Sequence, residues 1–407
     1  GYVQAETMAL VAELLIASNT VGLAPAESKR FLAAYDDILR REPRLAEAYI
    51  ARGNVRGRLG DSLGSLADYD AGLALSPNLA VGHQWRAELL FFDLERIDEA
   101  SAAYRRAMEL DPITPQIRLA FASALVAQGR PVEAMALMQE VREVFPDNVN
   151  TANQASRIAL QTGDFATAFR TLKATREAGG DATRLTLSTC SALVDLGAET
   201  DAARCLDAAA RLPGTEDAVR MQRITALLAS GRREEAHRLW SGLSPEQQAS
   251  DEILMVVFGP PRMGLAALES VAPGLLEQPP RVRRLDIGLY GVAALLLQRD
   301  GREAQAKALL EAGLARLPGA PDYGDWGVGW SEAFARGVQG DTAGACAAMR
   351  ATIARPYWLS FVEAQAFPEL DGLRAAPCFE AIERERRAKV DAALAPLRAE
   401  RLWPGAE

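Results

Sequence analysis

AEAYIARGNVRGRLGDSLGSLADYDAGLALSPNL (46–79) and AVGHQWRAELLFFDLERIDEASAAYRRAMELDPIT (80–114) are the two stretches whose reading decides the fold. Each holds two short amphipathic segments parted by a turn, and each ends close to a proline. Pro43, Pro77, Pro112 and Pro146 follow one another at spacings of 34, 35 and 34. Proline cannot continue a helix interior, so each one stops a second helix and restarts the count. A unit of this length cannot bury its apolar face alone, and stacking on its neighbours does so. Nothing alternates with period two for long enough to argue a sheet. The expectation is an all-α array of helical hairpins.

Within 46–79, Tyr49 and the small Gly53 lie on the first helix, Gly60-Asp61 makes the turn, and Ser65, Tyr69 and Gly72 precede Pro77. Segment 80–114 repeats this with Ala87, Ala100, Tyr104, Ala107 and Pro112. Segment 115–148 has Phe121-Ala122, Leu125, Gly129-Arg130, Ala134, Met138, Val141 and Pro146. Small residues belong where two helices press together, and Gly60 and Gly129 permit the positive φ that commonly ends a helix. In this spelling the chain resembles the tetratricopeptide repeat (TPR) family, although Arg52 and Arg56 depart from its apolar choices. The resemblance implies an α-solenoid, a right-handed superhelix of about nine to ten hairpins with a C-terminal capping helix, whose first helices line a concave groove.

The phase continues, more loosely spelled, through 149–182, 183–216 and 217–250, and returns at 287–320 and 326–355. Upstream, 12–45 fits one more divergent repeat through Phe31, Tyr35, Ile38 and Pro43. The expected organisation is a repeat array over 1–250, an irregular shortened hairpin or bend over 251–286, further hairpins over 287–355, and a capping segment over 356–407. In that last segment Pro368, Leu370, Leu373-Arg374, Pro377 and Phe379 resemble a motif that closes bacterial TPR arrays, such as those of winged-helix regulators and nucleotide cyclases. Phe367, Leu370, Leu373 and Phe379 are expected to cover the last hairpin, with a final helix near 378–401 showing a polar outer face.

Composition bounds the alternatives. With 407 residues, 49% of them hydrophobic, the chain can bury a large core. No apolar run approaches a membrane span. Net charge of −9 argues against a nucleic-acid partner, and Arg281, Arg283 and Arg284 read as a solvated helix start. The excess of Arg over Lys suggests a GC-rich bacterial genome. Gly1 points to a processed chain or a piece of a longer one, and the expected compartment is the cytoplasm, or the periplasm if a leader was removed.

No metalloprotease, nucleophile-elbow, Walker or dinucleotide motif appears, and His83 and His237 read as packing or solvent-facing residues. The stretch 323–330 reads as a loop leading into a helix, with its tryptophans packing a hairpin junction. No metal and no cofactor is expected. Cys190, Cys205, Cys346 and Cys378 lack CxxC spacing, so zinc is not expected. Cys190 and Cys205 fall on the two helices of one hairpin. Buried free thiols are the commoner outcome there, and a disulfide stays open.

The groove-facing positions of the first helices give the candidate site: Asn54, Gln84, Glu88, Ser123, Asn150, Asn153, Arg157 and Arg184, with Phe91, Ser191 and Asp195 beside them. Asn side chains can bond both N–H and C=O of an extended peptide. The family's carboxylate clamp for chaperone C-termini is rejected, because Ile50 stands where its Lys should be. Two arginines near Asn150 and Asn153 favour a peptide or protein partner that is acidic at the contact. The expected function is a non-catalytic protein- or peptide-binding scaffold. The alternatives are the sensory part of a larger transcription or signalling protein, and an enzyme whose site lies in the 251–285 bend or the 321–330 loop.

Overall fold

The computed structural model describes residues 25–249, 252–318, 328–354 and 362–405, together with 5, 7–10 and 13. These residues are helical or irregular, and no strand occurs among them. In chain order the helices are α1 (Pro25–Arg41), α2 (Ala46–Arg58), α3 (Ser62–Leu75), α4 (Ala80–Phe92), α5 (Ile97–Leu110), α6 (Pro115–Ala127), α7 (Pro131–Val144), α8 (Val149–Gln161), α9 (Phe165–Glu177), α10 (Ala182–Asp195), α11 (Glu199–Ala209), α12 (Glu216–Ala229) and α13 (Arg233–Ser241). Three short helices follow, α14 (Pro245–Ala249), α15 (Glu252–Phe258) and α16 (Pro261–Val271). The rest are α17 (Tyr290–Arg299), α18 (Glu303–Arg316), α19 (Val328–Val338), α20 (Thr342–Ile353), α21 (Val362–Ala366), α22 (Asp371–Arg374) and α23 (Pro377–Ala399). The chain forms two compact units, 1–124 and 125–407.

The repeat grammar of the sequence is met locally. Helices α1, α3, α5 and α7 end at Arg41, Leu75, Leu110 and Val144, each two residues before its proline. The turn glycines Gly60 and Gly129 have φ of 83° and 73°, where a Cβ would be strained. The aspartate after the turn starts the next helix: Asp61 accepts from the Gly64 N–H, and Asp164 and Asp341 do the same for Thr167 and Gly344.

In the first unit α2 packs on α3 and α4 on α5. Phe31, Tyr35, Ile38, Ala48, Ala51 and Val55 form one core cluster, and Ile50, Tyr69, Trp85 and Leu89 form the next. Ile50, 2% exposed, is core and not groove. A Cβ on Gly53 would lie 2.8 Å from the Tyr69 ring and 3.1 Å from the Ser65 carbonyl oxygen. Gly53→Leu should therefore force this hairpin apart, at about 1–3 kcal/mol. Urea unfolding reads the cost, and unchanged stability would refute the close approach. Phe91, expected in the groove, is fully buried and lies edge-on to Phe92 at 4.8 Å. It belongs to an apolar run, Leu89-Leu90-Phe91, that faces the hairpin interior.

In the second unit the pairs α8/α9, α10/α11, α12/α13, α17/α18 and α19/α20 carry the architecture. Phe367, Leu370, Leu373 and Phe379 are buried, and Phe367 meets Phe334 of α19 at 5.5 Å, so they cover the last hairpin. Trp330 is buried beside Phe334, whereas Trp326 and the Tyr357-Trp358 pair lie outside the described residues. Arg283 caps a short turn by pairing with the buried Asp286 at 3.0 Å.

Helix α23 does more than cap. Its buried side chains Phe379, Ile382, Arg386, Val390, Leu394 and Leu397 recur every three or four residues, the spacing of one helical face. Its first part, Phe379 and Ile382, joins the core of the later hairpins, and Val390, Leu394 and Leu397 join the core of α8–α11. Arg386 donates to the Leu196 carbonyl at 2.8 Å, Arg398 pairs with Asp201 at 2.6 Å, and Trp403 packs on Phe169 at 4.9 Å. The expected polar outer face is thus the remainder of a helix gripped on its other side.

All four cysteines are paired, Cys190 with Cys205 and Cys346 with Cys378. The expectation of free thiols is corrected. Cys190 and Cys205 sit on the facing sides of α10 and α11, both fully buried, with Cα atoms 5.4 Å apart, inside the range a disulfide spans. Cys346–Cys378 ties α20 to α23 across 32 residues, a pairing no sequence spacing announced.

Candidate functional site

The candidate residues fall in different units. Asn54, Gln84, Glu88 and Ser123 belong to the first. There Arg58 donates to the Asn54 oxygen at 3.0 Å, and Gln84 donates to Glu88 at 2.9 Å. Burial pushes the Glu88 carboxyl up, while the Gln84 bond and the Arg58 charge oppose the shift. The Ser123 hydroxyl donates to the Leu119 carbonyl of its own helix, which satisfies the helix it sits on.

Asn150, Asn153, Arg157 and Arg184 belong to the second unit, and there the geometry converges. A cleft of about 460 Å³ opens over α8, α10 and α12, with Asn150, Asn153 and Arg157 in its wall. Arg184 is not in the wall, but its Nη2 donates to the Asn150 Oδ1 at 3.0 Å. These two residues are 34 apart, one repeat. The period therefore sets residue i beside residue i+34 on neighbouring first helices, and the rows of the cleft follow from it. Ser191 and Asp195 line the cleft as expected, and Leu160, Leu172 and Leu187 supply its apolar floor.

Sequence reasoning missed a row. Gln154, Ser188 and Gln222 also line the cleft, and they are spaced by the same 34 residues. Their common register was legible, but only neighbouring positions of the repeat had been assigned to the groove. Gln222 donates through Nε2 to the Leu187 carbonyl at 3.1 Å, which fixes the orientation of its amide. Its Oε1 is buried without a hydrogen-bond partner, and so is the Asn153 Oδ1. A buried acceptor left unpaired costs about 1–3 kcal/mol. These two oxygens lie on residues that line one cleft, and Arg157, exposed at its rim, offers positive charge.

The two histidines are engaged elsewhere. His83 Nε2 lies 2.9 Å from the Pro77 carbonyl oxygen, and His237 stacks near Trp240 and Phe258. Among the described residues no group of His, Cys, Asp and Glu is placed to hold a metal, and no helix is long and apolar enough to cross a membrane.

The tetratricopeptide repeat family model matches residues 91–153 and 125–189. No curated protein matches the chain. Among solved structures, a tetratricopeptide repeat protein from Parabacteroides merdae is 14% identical, with 61% of this chain and 97% of that one covered at a TM-score of 0.43. PilF of Pseudomonas aeruginosa is 15% identical over 55% of this chain and 97% of its own, with a TM-score of 0.40. YrrB, described as a TPR protein with an unusual peptide-binding site, is 16% identical over 47% and 97%, at 0.33. The period, the turn glycines and the hairpin pairs agree with the family match, and residues 91–189 match the tetratricopeptide repeat model within a chain whose described residues hold helices and no strand.

Proposed function

We propose that the chain is a non-catalytic scaffold whose second unit holds an extended peptide in the cleft over α8, α10 and α12. The observation that carries this is the pair of buried, unpartnered amide oxygens, Asn153 Oδ1 and Gln222 Oε1, beside a cleft of about 460 Å³. Backbone N–H groups of an extended segment satisfy such acceptors without demanding a particular side chain. Arg157 and the Asn150-bound Arg184 favour an acidic side chain or a C-terminal carboxylate at that end. Pairing of all four cysteines in two disulfides supports placing the protein in an oxidising compartment. The reading as the sensory part of a larger regulator rests on the 366–379 motif alone.

A synthetic peptide library tests the cleft. The wild-type chain should enrich acidic peptides, and Asn153→Ala/Arg157→Ala should weaken the selected peptides about tenfold, or 1.4 kcal/mol. Binding should also fall as salt rises, because exposed charges are screened. Equal enrichment by both proteins would dispose of this site.

A further inference from the structure

A second cleft, of about 350 Å³, lies at the closing motif, walled by Arg374, Arg384 and Arg387 together with Glu380 and Glu383, with Gln365 beside them and the buried Phe379 beneath. Its charges do not balance. Asp371 accepts from Arg233 at 2.9 Å and also pairs with Arg374, so one carboxylate serves two guanidinium groups. Glu383 repeats the pattern. Both of its oxygens are taken by the buried Arg386, at 3.0 and 3.2 Å, which leaves Arg387 a contact of 3.5 Å. Arg384 pairs with Glu380, but both side chains are more than 70% exposed (72% and 76%), and such pairs hold charge weakly. Glu369, a further carboxylate nearby, is matched by Arg299 at 2.6 Å. Counting these groups, Arg233, Arg299, Arg374, Arg384, Arg386 and Arg387 face Asp371, Glu369, Glu380 and Glu383, an excess of two positive charges.

That excess stands in a chain of net charge −9, and part of it is held out of water. Arg374 is only 15% exposed and donates to the Ala364 and Phe367 carbonyls, so it cannot swing away. The Arg233 Nη1 is buried with no acceptor. Burial first, and then the nearby Arg233 charge, push the Arg374 guanidinium down to about 10, a direction that a neighbouring negative charge reverses. Structure alone gains nothing from gathering like charges around an open cleft, whereas an anion entering it would be met by donors already in place.

We propose that this cleft binds a small, doubly charged oxyanion, a phosphate monoester or a dicarboxylate, gripped by Arg384 and Arg387 in the field of Arg374 and Arg233. Guanidinium groups present paired donors that match such groups bidentately. The site is separate from the peptide cleft, and neither depends on the other.

Titration calorimetry on the full chain at fixed ionic strength tests it, with inorganic phosphate, glycerol phosphate and succinate as probes against a chloride control. Saturable binding of at least one probe is expected, and which of them binds separates phosphate from carboxylate. Arg387→Gln, a change at a side chain 47% exposed, should weaken that binding about tenfold with an unchanged circular dichroism spectrum. Arg384→Gln/Arg387→Gln should abolish it. Absence of saturable binding by all three probes up to about 10 mM, the weak end of specific affinity, overturns the proposal. So does undiminished binding by the folded double variant.

Discussion

Arg386→Ala should cost the second unit about 3–5 kcal/mol, the usual penalty for breaking a buried ion pair from one side. Arg386 is 1% exposed, and its guanidinium donates to the two Glu383 oxygens and to the Leu196 carbonyl. Its loss leaves Glu383, whose side chain is 8% exposed, with only the 3.5 Å contact from Arg387, and leaves the end of α10 uncapped. The sign of the companion experiment differs. Arg386→Met/Glu383→Leu removes both charges and fills the space, so most of the loss should return, less the bond to Leu196. Urea unfolding of the two variants decides it: a double variant no more stable than the single one would mean that the stranded carboxylate is not the source of the cost.

Cys190→Ser/Cys205→Ser should cost about 3 kcal/mol in oxidising buffer, the chain-entropy value for a loop of this length. The closed loop spans 15 residues, and the one closed by Cys346–Cys378 spans 32, so the second pair should matter slightly more. Chain entropy is only part of the first case, because α10 carries Ser188, Ser191 and Asp195 into the cleft over α8, α10 and α12, while α11 carries Asp201 to Arg398. Alkylation of the denatured protein is the direct check. No thiol should react before reduction and all four after it, and reactive thiols in the unreduced chain would contradict both pairings.

Most of the fold was legible because its rules are local. A proline two residues past each of several second helices, a glycine able to take positive φ, and an aspartate that caps the next helix all act within one turn of chain, and Gly60-Asp61 shows each rule at work. The cleft was legible in part for a related reason, since Asn150 and Arg184 meet across one repeat. Phe91 was misassigned because register alone does not say which side of an apolar run faces the partner helix. The grip of α23 on α8–α11 was out of reach. Its contacts join residues some 200 positions apart, and neither the Arg386–Leu196 bond nor the Cys346–Cys378 bridge leaves a periodic trace.

That long reach of the last helix changes how the chain can be made. A plain array of hairpins is a structure of low contact order, able to settle piece by piece as it leaves the ribosome. Here α9, the end of α10 and α11 wait for partners that lie 230, 190 and 202 residues away in sequence, at Glu400, Arg386 and Trp403. At ordinary rates of translation that gap is roughly 10–40 s, during which Phe169, Leu196 and Asp201 lack their cover. The middle hairpins are therefore the nascent chain's exposed flank, the region for a chaperone to shield. A ribosome stalled before residue 377 should leave those hairpins open to protease, while the first unit is already folded.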